Sequence, residues 1–337
     1  MRSSPKQGSR ALSAAVAALV VGAACAASAQ AHPGHAKVTP VAWKTVASVD
    51  LAAFNKDLVA GKPTMDVAVY VPSNFDPAFK KISVEQMIDG IRAAKEIYAP
   101  TGVQIKLVSV KTGVIDPRFL SIQANEIPRV PDTEYLNSYE ASKRHPTELT
   151  QMAREAFESV IEPDKDNTRT LYLIGLQDVI MPFLELAEGR NWTVKMVRTG
   201  GLSFPSYSYY NTIPEAYRGA ITITNLSTPG RARRTIAHEI GHKVMNVSHE
   251  YKTTSPAHEV YADGGLMLYG TGVDVPAGEA GRWHLERLLA SPYLYRLRSD
   301  GTKQWNPDYK EGGHYYDPLY GQKAVQFPGQ SKMDPNW

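Results

Sequence analysis

Two histidines and a glutamate are the residues in this sequence best suited to chemistry, in the run His238-Glu239-Ile240-Gly241-His242. Thr228 and Pro229 predict the start of a helix there, with a side-chain cap followed by a proline at the first helical position. We expect this helix to run to about Met245. Residues four apart on a helix share a face, so both imidazoles can reach one metal ion. Zinc is the usual metal for such a pair.

Glu239 follows the first histidine and projects about 100° around the predicted helix, since a turn takes 3.6 residues. It therefore lies beside the metal rather than on it. A carboxylate in that place can accept a proton from an attacking water and pass it to a leaving amine. The pattern predicts zinc-dependent hydrolysis, with Glu239 as general base and acid. The neighbouring residues are small or apolar, as a buried helix requires: Ile236, Ala237, Ile240, Gly241 and Val244.

The run from His238 to His249 resembles the signature of the metzincin clan of zinc peptidases. That signature is His-Glu-x-x-His-x-x-Gly-x-x-His, followed by a methionine turn. The resemblance implies a zincin-like catalytic domain of the α+β class, in which Zn²⁺ is held by His238, His242 and His249. It also implies that Glu239 is the catalytic base and that the substrate is a peptide or protein.

The sequence departs from the clan's pattern near the third histidine. His249 falls eleven residues after His238, where the clan has ten, and Met245 stands at the position of the clan's glycine. Asn246 lies three residues before His249 and is expected to take the left-handed conformation of that glycine. The alternative third ligand is Glu259, as in zincins with a glutamate ligand.

The segment Gly264–Gly270 resembles the clan's methionine turn. The resemblance implies that Met267 lies beneath the metal and that Tyr269 is a candidate to stabilise the oxyanion of the reaction. Asp274 follows in a pattern close to that of peptidases with an aspartate ligand, but its spacing is off by one, so it ranks below the other ligand candidates.

The resemblance also implies where an extended substrate would bind. The strand before the active-site helix is Ala220–Thr224, and the clan uses that place for an edge strand whose unpaired backbone groups bind the peptide. We expect Gly200–Pro205 to form the other lip of the cleft.

Hydrophobic periodicity predicts the elements that position these residues. The order of strands and helices indicates a mixed, twisted sheet backed by helices. We expect a catalytic domain over residues 65–296, after a loosely structured lead-in at 32–64 and before an irregular tail at 297–337. The predicted strands are 65–71, 103–110, 168–176 and 219–224, the predicted helices are 83–98, 146–161 and 228–245, and residues 112–146 are predicted to form a long loop.

The first 31 residues are typical of a secretory signal peptide, with a basic start, a short alanine-rich apolar stretch and small residues at the cleavage site. They hold the only cysteine, Cys25, and three basic residues. Cleavage lowers the basic total from 37 to 34, equal to the 34 acidic residues. A near-neutral mature chain gives no reason to expect nucleic-acid binding. We expect a secreted or periplasmic protein without stable membrane association after cleavage.

The sequence therefore predicts a secreted zinc metallopeptidase. Two alternatives stay open: a secreted zinc-binding module without proteolysis, and a zinc amidase that acts on a non-peptide or cell-wall amide. Retention of Glu239 favours catalysis over the first alternative. Substrate preference and oligomeric state have no signature in the sequence.

Overall fold

The structure is a computed structural model, and it describes residues 41–79, 81–127, 149–164, 168–186, 192–203, 215–246, 265–267, 272 and 274–307. All elements below belong to one unit that begins at Thr39. The predicted signal peptide lies outside the described residues. Among the helices that are described, none is long and apolar enough to cross a membrane.

Helices and strands alternate through the first half of the chain. The helices are α1 (Leu51–Asn55), α2 (Val84–Tyr98), α3 (Gln151–Val160), α4 (Pro229–Val244) and α5 (Arg282–Ala290). The strands are β1 (Lys44–Thr45), β2 (Thr64–Pro72), β3 (Gln104–Gly113), β4 (Ser121–Gln123), β5 (Leu171–Gly175), β6 (Asp178–Leu186), β7 (Trp192–Arg198), β8 (Gly201–Leu202), β9 (Ala220–Ile223), β10 (Tyr295–Leu297) and β11 (Lys303–Trp305).

The larger sheet has the strand order β1-β3-β2-β5-β9-β8. Its four central strands run parallel, whereas β1 and β8 are antiparallel to their neighbours at the two ends. The β10–β11 hairpin joins this sheet where Tyr295 lies opposite Thr64 of β2. Strands β4, β6 and β7 form a second, smaller sheet. The fold is therefore mixed α+β, as the sequence predicts.

The central strand β2 is buried along its whole length. A continuous apolar run is what a parallel strand needs when helices or other elements cover both faces of its sheet. The connection from β2 through α2 to the parallel strand β3 is a strand–helix–strand unit.

Helix α2 begins with a capping box formed by Ser83 and Gln86, whose spacing in the sequence is typical of that motif. The Gln86 N–H donates to the Ser83 hydroxyl at 3.1 Å, and the Ser83 N–H donates to the Gln86 side chain at 3.0 Å. The buried stripe of α2 then runs down one face: Met87, Ile88, Gly90, Ile91, Ala94, Ile97 and Tyr98.

Helices α2 and α4 pack closely. A Cβ added to Gly90 of α2 would lie 2.5 Å from Ile236 Cδ1 of α4, so only glycine permits this approach. At the end of α2, the buried Tyr98 hydroxyl donates to the Ala237 carbonyl of α4 at 2.7 Å. Helix α4 also contacts β8 and β9 of the large sheet. These contacts hold the predicted active-site helix in place.

Several elements differ from the sequence predictions. Strands β6 (Asp178–Leu186) and β7 (Trp192–Arg198) pair with each other, although neither was predicted from the sequence. Strand β4 lies inside the predicted long loop, and β1 and α1 lie inside the predicted lead-in. Strand β11 lies in the predicted irregular tail and pairs with β10. Strands β1 and β4 are short and pair with the distant strands β3 and β6, which local periodicity does not report.

Candidate metal centre

Helix α4 carries the central residues of the predicted metal site. The Thr228 hydroxyl accepts from the Arg231 N–H at 3.3 Å, and Pro229 opens the helix, as predicted. The helix ends at Met245, whose N–H donates to the Gly241 carbonyl. Asn246 follows at φ 50°, which confirms its predicted left-handed conformation. The backbone is therefore left-handed directly after the C-cap residue Met245.

His238 and His242 lie together on a buried face of α4. Their ring centroids are 4.7 Å apart, with the rings inclined at 80°, and each residue is 5% exposed. His238 Nδ1 is 2.7 Å from the Leu266 carbonyl oxygen. A carbonyl only accepts, so we assign a proton to Nδ1, and in the neutral ring this leaves the lone pair on Nε2. Metal-ligating histidines typically donate their other ring N–H to a backbone carbonyl or a carboxylate in this way.

Glu239 lies against the edge strand β8. A Cβ added to Gly201 would lie 2.8 Å from Glu239 Cγ and 2.9 Å from Oε1. The Ser203 backbone also hydrogen-bonds the carboxylate. Burial raises the Glu239 pKa to about 8, and the positive charge of Arg234, the Ser203 backbone and the charge of Lys243 all oppose that rise. Without a bound cation, burial therefore favours the protonated form of Glu239 at neutral pH.

Two cations accompany Glu239 on the same helix. Burial lowers the Lys243 pKa to about 7, the nearby Arg218 lowers it further, and Glu239 opposes both. Lys243 lies one turn after Glu239, with only 3% of its surface exposed. Arg234 lies one turn before His238, and burial lowers its pKa while Glu239 raises it. The positive charges of Arg234 and Lys243 limit the rise in the Glu239 pKa but do not cancel it.

Met267 lies against the middle of the motif. It is fully buried. A Cβ added to Gly241 would overlap Met267 Sδ and lie 3.0 Å from Met245 Cε and 3.3 Å from the Tyr98 hydroxyl. Burial raises the pKa of Tyr98 far above its usual range, which keeps its hydroxyl a donor. The absence of a side chain at Gly241 is therefore what lets Met267 and Tyr98 approach the helix between the two histidines.

The candidates for the third ligand fall into two groups. His249, Glu259 and the predicted oxyanion residue Tyr269 lie outside the described residues. Asp274 is described: its side chain is 55% exposed and pairs with Arg233 at 3.2 Å. No group of three or more His, Cys, Asp or Glu side chains that could hold a metal occurs among the described residues. The structure therefore brings together two of the predicted ligands with Glu239, and it does not bring Asp274 to them.

The prediction that the strand before α4 is an edge strand is wrong. Strand β9 (Ala220–Ile223) is internal, because it pairs with β5 on one side and β8 on the other. Among the described strands, the end of the sheet is β8, which lies within the segment that we expected to form the opposite lip of the cleft. We expected the last strand before α4 to be at the edge. Instead β8, which comes before β9 in the chain, lies outside β9 in the sheet. The strand that lies against the Glu239 side chain is thus β8.

Four residues of the site were not predicted in these roles from the sequence, and two of them have no sequence signal. The Leu266 carbonyl and the Ser203 backbone are main-chain groups, whose partners no residue pattern specifies. Gly201 has a weak signal, since glycine in a strand often marks a close approach. Arg234 has a stronger one, because it stands four residues before His238 and must share its face.

No protein-family model matches the chain, and no curated protein is detectably similar to it. The functional argument therefore depends on the residues of α4 and on the groups that surround them.

Proposed function

We propose that the protein is a zinc-dependent peptidase with a metzincin-like site on α4. The observation that carries the proposal is the arrangement of His238, Glu239 and His242. Two imidazoles share a buried face with rings 4.7 Å apart. His238 Nδ1 is hydrogen-bonded to the Leu266 backbone carbonyl, and the buried Glu239 lies between the two histidines in the sequence.

The donor set fits zinc. His238 presents Nε2 because Nδ1–H donates to Leu266. We propose that His238, His242 and His249 hold the ion. When bound, zinc acts as a Lewis acid that polarises a carbonyl, lowers the pKa of water toward about 7 and favours the ionised form of Glu239.

The residues of the chain supply the proton transfers and the orientation. Glu239 accepts a proton from the attacking water and donates it to the leaving amine. Burial raises its pKa to about 8 when no metal is present, and a bound cation would lower that pKa and so favour the ionised form that accepts the proton. The Ser203 backbone holds the carboxylate on the side of β8. We propose Tyr269 as the group that stabilises the developing oxyanion.

The edge strand supports a peptide as the substrate. In the described part of the sheet, β8 pairs with β9 alone, and it lies directly against Glu239. An unpaired strand edge offers backbone donors and acceptors to an extended peptide. With the apparent signal peptide, this favours a peptidase that acts outside the cytoplasm.

The experiment compares wild-type protein with Glu239→Gln. The amide keeps the shape of the side chain but cannot accept the proton, so the variant should bind one zinc per chain and lose hydrolysis of a broad peptide library. The matched control is Glu158→Gln on α3, an exposed carboxylate that should leave both properties unchanged.

Each outcome has a definite meaning. Full peptide hydrolysis by Glu239→Gln would contradict the mechanism. Zinc binding by the wild type without cleavage of any peptide would instead favour a non-catalytic zinc module. Cleavage of amides in cell-wall fragments, with every peptide left intact, would identify an amidase.

A further inference from the structure

Arg234 connects the active-site helix to the chain around Met267. Its Nη2 donates to the Leu266 carbonyl at 3.3 Å, and its Nε donates to the Gly272 carbonyl. The two acceptors lie on either side of Met267, six residues apart in the sequence. One planar guanidinium can bind both at once because its donors are held in a rigid fork.

The Leu266 carbonyl is shared by two donors. It accepts from His238 Nδ1 at 2.7 Å and from Arg234 Nη2 at 3.3 Å. A carbonyl oxygen has two lone pairs, so both bonds can form together. Arg234 Nη2 is also 3.0 Å from His238 Nδ1; because both nitrogens are donors here, this is a close contact between two groups that share one acceptor and not a third hydrogen bond. The position of this oxygen decides how the His238 ring is oriented, and therefore where Nε2 points.

We propose that Arg234 is a positioning residue that sets the metal affinity of the site by holding the Leu266 carbonyl on His238. This role rests on the proposed function, since it needs His238 to be a metal ligand. Arg234 acts through His238 and contacts neither metal nor substrate. The same two bonds hold the chain on each side of Met267, so the residue also keeps the methionine against Gly241.

The neighbouring residue Arg233 is an arginine of the same helix whose side chain forms surface ion pairs. Arg233 is about half exposed and pairs with Asp274 at 3.2 Å and with Glu96 at 3.8 Å. Exposed ion pairs of this kind contribute little to the free energy of unfolding, and salt screens them. Arg234 differs because its donors reach backbone carbonyls in a partly buried place, where burial lowers its pKa. Arg233→Met is therefore a control for removing one arginine from the same turn of α4.

The test measures zinc affinity by chelator competition on the full chain, for wild type, Arg234→Met, Arg234→Lys and Arg233→Met. Loss of an outer-shell partner typically weakens metal binding by about 10–100-fold. We expect that loss for Arg234→Met and a smaller one for Arg234→Lys, which keeps one donor of the two. Arg233→Met should stay within about twofold of wild type.

A second readout separates positioning from stability. The visible absorption spectrum of the cobalt-substituted protein reports ligand geometry, and it should change in Arg234→Met but not in Arg233→Met. On peptide substrates, kcat should fall while KM stays near the wild-type value. If Arg234→Met does not fold, zinc affinity and the cobalt spectrum are compared between Arg234→Lys and wild type instead.

The outcomes distinguish the two claims. Wild-type zinc affinity and an unchanged cobalt spectrum in both Arg234 variants would overturn the positioning role and leave the peptidase proposal standing. Equal losses in Arg234→Met and Arg233→Met would also overturn it. A wild-type chain that binds no zinc would overturn both proposals.

Discussion

Gly241 lies at the point where three neighbours meet the active-site helix, so its replacement by alanine gives a sharp test of the packing. The new Cβ would overlap Met267 Sδ and lie 3.0 Å from Met245 Cε and 3.3 Å from the Tyr98 hydroxyl. Tyr98 cannot withdraw without loss, because its hydroxyl donates to the Ala237 carbonyl. Met267 is fully buried, so its movement must displace other atoms.

The magnitude follows from two opposing terms. Alanine gains about 1 kcal/mol over glycine inside a helix. Overpacking a well-filled core costs typically about 1–3 kcal/mol. The net loss of unfolding free energy for Gly241→Ala is therefore between about zero and 2 kcal/mol.

Gly230→Ala in the same helix is the matched control. Its Cβ would meet nothing within 4 Å, so it should keep only the gain in helix propensity, up to about 1 kcal/mol. The difference between the two variants isolates the overpacking term of about 1–3 kcal/mol.

The assay is urea denaturation of both metal-free variants, followed by chelator competition for zinc. Gly241→Ala should also bind zinc more weakly, because a shift of Met267 moves the adjacent Leu266 carbonyl that orients His238. Equal stability of Gly241→Ala and Gly230→Ala, together with equal zinc affinity, would refute the close packing of Met267 beneath the motif.

Three further changes test separate parts of the structure. Gly201→Ala should lower kcat on peptides by about 10–100-fold with zinc content unchanged, because its Cβ forces β8 away from Glu239; wild-type kcat would contradict the contact. Asp66→Asn should reduce the unfolding free energy in urea by about 1.5–3 kcal/mol, since the buried carboxylate accepts from Tyr295 Oη at 2.7 Å and pairs with Lys303; unchanged stability would show that this cluster is dispensable. Dialysis against a chelator should remove hydrolysis and lower the melting temperature, and one equivalent of zinc should restore both; activity that survives metal removal would argue against a metal centre.

Local sequence signals predicted the elements that carry the site. The capping box of α2, the cap and proline of α4 and the left-handed Asn246 all depend on residues within a few positions of each other. Each signal has a specific physical cause, namely a side chain that satisfies a free N–H or a backbone that tolerates positive φ. These features were therefore readable before any tertiary structure was known.

The pairing of distant strands was not readable in the same way. The internal position of β9 depends on β8, which lies earlier in the chain and contributes only Gly201 and Leu202 to the pairing. The β6–β7 hairpin and the β10–β11 hairpin are likewise set by their partners. Strand register and order are tertiary choices, so a short strand has little signal of its own.

The most direct test of the central claim is the anomalous diffraction of crystals of the zinc-loaded protein at the zinc absorption edge. We predict one peak about 2.0–2.1 Å from ring nitrogens of both His238 and His242, with His249 as third protein ligand and Glu239 beside the ion. A peak that avoids this histidine pair, or no peak in a zinc-saturated crystal, would contradict the account.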